Sequence, residues 1–142
     1  LAQWLALHFN LTVDDVRHNN NYVLRWSCIN GHLPVAQWLA VHFGLTVNDA
    51  HADTGVALYG SCTYGHLTVA QWLTQHFGLT VDDARTKNNY ALQKACENDH
   101  LLVAQWLTQH FGLTISDARA NDNYAFCKAR GTMVNPTFWS NN

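Results

Sequence analysis

The chain has 142 residues, a formal charge of −2 at pH 7, 48% hydrophobic residues and only 13% charged ones, which is enough apolar material for a packed core and excludes a disordered chain. No Lys/Arg run is present that could track a phosphate backbone, so nucleic acid is not an expected partner. Apolar residues come in short amphipathic groups that fall well below the ~20 residues needed to span a bilayer, and a soluble protein without membrane contact is expected.

In chain order, the words AQWL, HF and LT recur at a fixed interval of 34 residues, with Trp4, Trp38, Trp72 and Trp106 in one column and Phe9, Phe43, Phe77 and Phe111 in another. A fixed period of this length marks a stacked repeat architecture. Residues 1–19 read as a partial repeat that holds a second helix only. Asn10 follows this helix where later repeats carry Gly44, Gly78 and Gly112. It is expected as a left-handed cap rather than as the acceptor of the sequon Asn10-Leu11-Thr12.

Full repeats follow at 20–53, 54–87 and 88–121. In each, a first helix carries a thin apolar stripe, as in Leu92, Ala95 and Cys96 at i, i+3, i+4. Gly31 and Gly65 end this helix in two repeats and Asp99 stands there in the third. Pro34 fits the first turn of a second helix, where a missing N–H costs least. The third copy of that helix, LLVAQWLTQHF, is expected to turn Val103, Trp106, Leu107, His110 and Phe111 inward. Its tryptophan column should form a buried ladder between successive second helices, beside a solvated glutamine column. Thr80 followed by Val81, Asp82 and Asp83 predicts another helix start about one turn long, and Thr86-Lys87-Asn88-Asn89 predicts a polar turn. Residues 122–142 complete the single array with a partial repeat, its helix over 123–130, and a tail, GTMVNPTFWSNN, that leaves the pattern. The expected fold is all-α: helix-turn-helix-loop units stacked in a curved solenoid, since one unit cannot bury its own apolar faces.

The words Gly31-His32-Leu33, Gly65-His66-Leu67 and Tyr90-Ala91-Leu92-Gln93-Lys94-Ala95-Cys96, followed by Val-Ala-Gln-Trp-Leu, resemble ankyrin repeats. The likeness covers about 1–130 and has the diverged style of ankyrin families in protists, algae and giant viruses. The family's Thr-Pro start is replaced by Tyr-Val, Val-Ala and Tyr-Ala, and the period is one residue longer than usual. A tetratricopeptide array shares the period, but its Gly, aromatic and terminal Pro columns are not filled here. The resemblance implies an intracellular protein-interaction module that binds through a groove lined by the first helices.

Chemical patterns are few. Cys28/His32, Cys62/His66 and Cys96/His100 share a spacing of four, yet a structural zinc needs four converging ligands and each repeat offers two. No metal or cofactor is therefore expected. The cysteines should be free core thiols, which suits a reducing cytoplasmic or nuclear compartment, and the histidines of these pairs should tie down the turn by hydrogen bonds. His8, His42, His76 and His110 fall in last turns of helices, where a cation is favoured. No nucleophile pattern accompanies them, so an enzyme is not expected.

Specificity should reside in columns that change while the scaffold stays constant. These are Arg25, Trp26 and Asn30, Tyr59 and Tyr64, and Lys94 and Glu97 on the first helices, with His18, Asp53 and Lys87 at projecting loop tips. The aromatics Trp26, Tyr59 and Tyr64 are the expected anchors of a partner protein, with internal packing weighed equally for Tyr59. A second reading makes the chain a regulatory or targeting segment of a larger enzyme. End-to-end self-association through incomplete terminal repeats is a further expectation.

Overall fold

A computed structural model describes residues 1–120; the expected helix over 123–130, the tail after it, and Asn121 and Asp122 lie outside the described residues. The described residues form ten helices and no strand. In order these are α1 Ala2–His8, α2 Val13–Ile29, α3 Leu33–His42, α4 Val47–Ala50, α5 Ala52–Thr63, α6 Leu67–Phe77, α7 Val81–Ala84, α8 Thr86–Glu97, α9 Leu101–Phe111 and α10 Ile115–Arg119. None of them is long and apolar enough to cross a membrane.

Residues 34 apart adopt the same local structure. α2 packs on α5 and α5 on α8, while α3, α6 and α9 each lie against the helix that precedes them. The core runs continuously through these contacts: Leu24, Cys28, Leu58, Cys62, Leu92 and Cys96 from the first helices, and Leu39, Val69, Leu73, Val103 and Leu107 from the second. Each fully buried leucine contributes about 1.5–3 kcal/mol through apolar burial.

The LT-x-x-D words form short helices for a defined reason. Thr80 N–H donates to Asp83 Oδ2 at 2.7 Å, and the same reciprocal capping box closes at Thr12/Asp15, Thr46/Asp49 and Thr114/Asp117. Two orphan donors are satisfied at each start. The helical turn expected at Thr80 is thus present in all four copies. The left-handed cap expected at Asn10 is also present, with φ 50°.

The expected polar turn is tighter than its composition suggested. Asn19, Asn20 and Asn21, then Asp53, Thr54 and Gly55, then Lys87, Asn88 and Asn89, all have φ between 52° and 78°. Three successive left-handed residues interrupt α2, α5 and α8, at a cost of roughly 1–2 kcal/mol for each non-glycine residue; asparagine tolerates the region best. The first two residues of each triplet are exposed, but Asn21 and Asn89 turn inward and are buried. Asn89 Nδ2 donates to Asp117 Oδ1 at 3.4 Å, and Asn21 faces Asp49 and helps to hold its carboxyl down.

These aspartates close a ladder between units. Arg17 Nε donates to Asp49 Oδ1 at 2.8 Å, Arg85 Nε donates to Asp117 Oδ1 at 2.8 Å, and His51 Nε2 lies 2.7 Å from Asp83 Oδ1. The hydrogen bonds from Arg85 hold the Asp117 carboxyl below its usual range against the opposing effect of burial. At Asp49 burial pushes the other way, and Arg17 with the Thr46 N–H outweighs it. A depressed carboxylate stabilises the fold above the unfolded value near 3.9, and that contribution is lost as pH falls through the folded value. Asp117→Asn is therefore expected to cost about 1 kcal/mol at neutral pH. The gap between its melting curve and the parent's should close as pH drops below ~4; a gap that stays constant down to pH 2.5 would contradict the linkage.

The central interface lacks the asparagine. Gly55 stands in its column, and a cavity of about 230 Å³ opens among His51, Thr54, Gly55, Leu58, Leu79 and Asp83. A Cβ at Gly55 would meet nothing within 4 Å. At φ 78° a side chain on residue 55 is strained, so Gly55→Ala is expected to lower stability by about 1 kcal/mol, whereas Gly55→Asn, which can bond Asp83 from this position, should lose less, measured by urea denaturation. An asparagine variant no more stable than the alanine one would show that the cavity is not the counterpart of the Asn21 and Asn89 sites.

The second helices correct one expectation. In α9, Val103, Ala104, Leu107 and Thr108 are buried, whereas His110 is exposed and Trp106 and Phe111 are half-buried. Thr108 can be buried because its Oγ1 donates to Ala104 O at 2.9 Å, which satisfies the hydroxyl within the helix. The tryptophans do not form a buried ladder. Trp38 stacks on His42 with centroids 4.8 Å apart and meets Phe43 edge-on at 5.6 Å; Trp72/His76/Phe77 and Trp106/His110/Phe111 repeat the arrangement. A spacing of four sets each tryptophan over the histidine one turn on, so these ring contacts lie within one helix and its end, and the adjacent leucine takes the inward position.

Candidate functional site

The proposed anchor residues lie at the C-terminal ends of the first helices. Each of these helices ends tightly: Asn30 Nδ2 donates to Trp26 O at 2.8 Å, and Asn98 Nδ2 to Lys94 O at 2.9 Å. Gly31 and Gly65 follow, with φ of 73° and 76°, and Asp99 adopts 65°. This turn presents the last helical residues on the surface.

Trp26, Ile29, Asn30, Tyr64 and His66 line one hollow of about 260 Å³ between the first two full units. Trp26 is 52% exposed and Tyr64 60%. Tyr22 stacks on Trp26 with centroids 5.9 Å apart, which extends the aromatic surface by one turn. Three of the expected residues, Trp26, Asn30 and Tyr64, are thereby brought together. Ile29, the neighbour of Asn30 in a variable column pair, joins them; His66 and Tyr22 complete the surroundings and were not anticipated. The spacing of four between Tyr22 and Trp26 was the available signal for the last of these.

Ile29 reaches into the hollow because the next unit carries Gly60, where a Cβ would fall 2.6 Å from Ile29 Cγ1. His66 is held differently from the expectation. Its ring packs against Gly31 of the preceding unit, as that of His100 packs against Gly65, and neither imidazole makes a hydrogen bond among the described residues. Steric packing between units, rather than a bond across its own turn, fixes the ring.

The remaining expected residues, His18 apart, are engaged internally. Arg25 donates to Asn20 O at 2.7 Å, Asn19 O at 2.9 Å and Asp53 Oδ2 at 2.6 Å. It thus serves the carbonyls of one left-handed turn and the carboxylate of the next. Tyr59 is half-buried and meets Tyr90 edge-on at 5.1 Å, and Lys87 Nζ donates to Tyr59 Oη at 3.1 Å. That bond raises the Lys87 pKa. Lys94 pairs with Glu97, which raises its pKa too, and lies over the Tyr90 ring. His18 is exposed and stands apart from the hollow. Arg25, Asp53, Tyr59, Lys87, Lys94 and Glu97 therefore form a row of contacts within and between neighbouring units rather than a set of unengaged side chains.

Cys28 and Cys62 are buried free thiols, and Cys96 is buried as well. Burial pushes Cys28 and Cys62 up to about 12, far from the range of a thiolate nucleophile or metal ligand. Among the described residues no group of three or more His, Cys, Asp and Glu could hold a metal ion. The arrangement at the hollow suits contact through aromatic faces and hydrogen bonding to His66. Compared with family models, curated proteins and solved structures, the chain matches none.

Proposed function

We propose that the chain is an ankyrin-like helical-repeat solenoid acting as a non-catalytic scaffold, and that it binds a partner protein through the surface formed by Trp26, Asn30 and Tyr64. The observation that carries this reading is the convergence of two exposed aromatics from successive units on one hollow. The equivalent positions of the third described unit, Lys94 and Asn98, are polar. Large exposed rings set around a depression, with Asn30 bonded within its own helix end and the His66 imidazole open to a partner, are the composition of binding hot spots. The ankyrin reading rests on the 34-residue words and on the stacking of first helix on first helix. An intracellular setting is part of the proposal and is supported by the free, buried thiols of Cys28 and Cys62.

Alanine at Trp26 and Tyr64 tests this directly. Both variants should melt within about 1 kcal/mol of the parent, since surface truncations rarely cost more. Each should reduce partner recovery from an extract of the source cell at least tenfold, equivalent to a loss of about 1.4 kcal/mol. Undiminished recovery by both variants would remove this surface from the proposal.

A further inference from the structure

Downstream columns reveal what belongs against the N-terminal face. Leu11 is 40% exposed, while Leu45, Leu79 and Leu113 in its column are 7%, 9% and 1% exposed. Val23 is 41% exposed, against 1% for Ala57 and 2% for Ala91. Phe9 and Tyr22 are exposed where Phe77 and Val56 are buried. An apolar hollow of about 190 Å³, lined by Leu5, Leu11, Asp15, Val16, Val23 and Trp38, opens beside them. In the later units, burial at these columns accompanies packing against the preceding unit.

A polar mark lies on the same face. Asp49, Asp83 and Asp117 each combine a capping box with a basic side chain from the preceding unit, Arg17, His51 and Arg85 respectively. Asp15 has the capping half, accepting from Thr12 N at 2.7 Å and Thr12 Oγ1 at 2.8 Å, but forms no ion pair among the described residues, with His18 of its own helix acting on it only through space. We propose that the face formed by α1 and α2 docks a further repeat of this same 34-residue kind, whose basic residue in the column of Arg17 and Arg85 engages Asp15. The face requires an apolar surface and a cation in fixed register. Arg17, His51 and Arg85 of a second copy are already committed to their own downstream aspartates, and Arg119, the fourth basic residue of that column, is not without a partner, which argues against self-association as the source.

The full chain can be given such a unit. A copy of residues 69–102 fused in phase ahead of Leu1 places the duplicate of Arg85 32 residues before Asp15, the separation seen for Arg85 and Asp117. The thermal midpoint of the fusion should rise by roughly 5–10 °C, because nearest-neighbour contacts add to array stability. Asp15→Asn should then lower the midpoint by several degrees more in the fusion than in the parent. Alanine in place of the duplicated arginine should abolish that difference. A fusion no more stable than the parent, or an Asp15→Asn shift equal in both backgrounds, overturns the proposal. It is equally overturned if the parent forms a concentration-dependent dimer, seen by sedimentation, that Asp15→Asn dissolves.

Discussion

Gly65→Ala is expected to destabilise the chain by roughly 3 kcal/mol, combining a left-handed backbone with steric crowding. Gly65 has φ 76°, and an added Cβ would fall 2.6 Å from Nδ1 and 2.7 Å from Cε1 of His100. The two components can be separated, because one belongs to the residue's own backbone and the other to the next unit. His100→Ala should recover the crowding part, so the double variant should be more stable than Gly65→Ala alone by about 1–2 kcal/mol. Chemical denaturation of the four chains of this cycle measures the coupling. Purely additive losses would show that the imidazole yields without cost and that only the backbone matters. The sequence carries a corresponding pattern. Gly31 and Gly65 each precede a unit that carries histidine, His66 and His100, in the facing column.

Leu73→Ala is expected to cost about 3–4 kcal/mol, through lost transfer free energy and the cavity left in a core that cannot fully collapse. Leu73 has no exposed surface, is flanked by Val69, Ala70 and Phe77 on the buried face of α6, and lies in the middle of the continuous core. Leu5 occupies the same column but is half-buried, because it lies on the uncovered N-terminal face. Leu5→Ala should therefore cost less than half as much. Urea midpoints for the two variants check the gradient. Equal losses would mean that the first helix is buried as thoroughly as the central one and would count against the uncovered face described above.

Much of the architecture was legible because it depends on neighbours within a few residues. The repeat words located every helix pair. Threonine three positions before aspartate marked the capping boxes at Thr12, Thr46, Thr80 and Thr114, and the glycine column with its Asn10 substitute marked left-handed caps. The small cysteine column marked buried thiols. Of the candidate site, Trp26, Asn30 and Tyr64 could be found as variable positions at helix ends.

What failed did so where the deciding contact came from another unit, or from which face of a helix that unit covers. Arg25 and Asp53 are 28 residues apart in sequence, as are Lys87 and Tyr59, so a list of variable columns could not tell a side chain that bridges units from one left to solvent. Apolar periodicity placed tryptophan and histidine inward together with leucine. Only packing showed that the covered arc of the second helix is narrow, centred on Leu73 and Leu107, with the Trp–His stack at its margin.

The sequence by itself thus determined the period, the helix starts and stops, the left-handed caps and the main core leucines, because backbone hydrogen bonding and local φ preference are properties of short segments. The tertiary structure alone decided that Asn21 and Asn89 are buried within the ladder, that Gly60 admits Ile29, that Arg25 and Tyr59 are held internally, and that Asp15 lacks, among the described residues, the ion pair to a preceding unit that its counterparts have. Those outcomes depend on which atoms a neighbouring unit places within 3 to 4 Å, and that proximity is created only when the units stack.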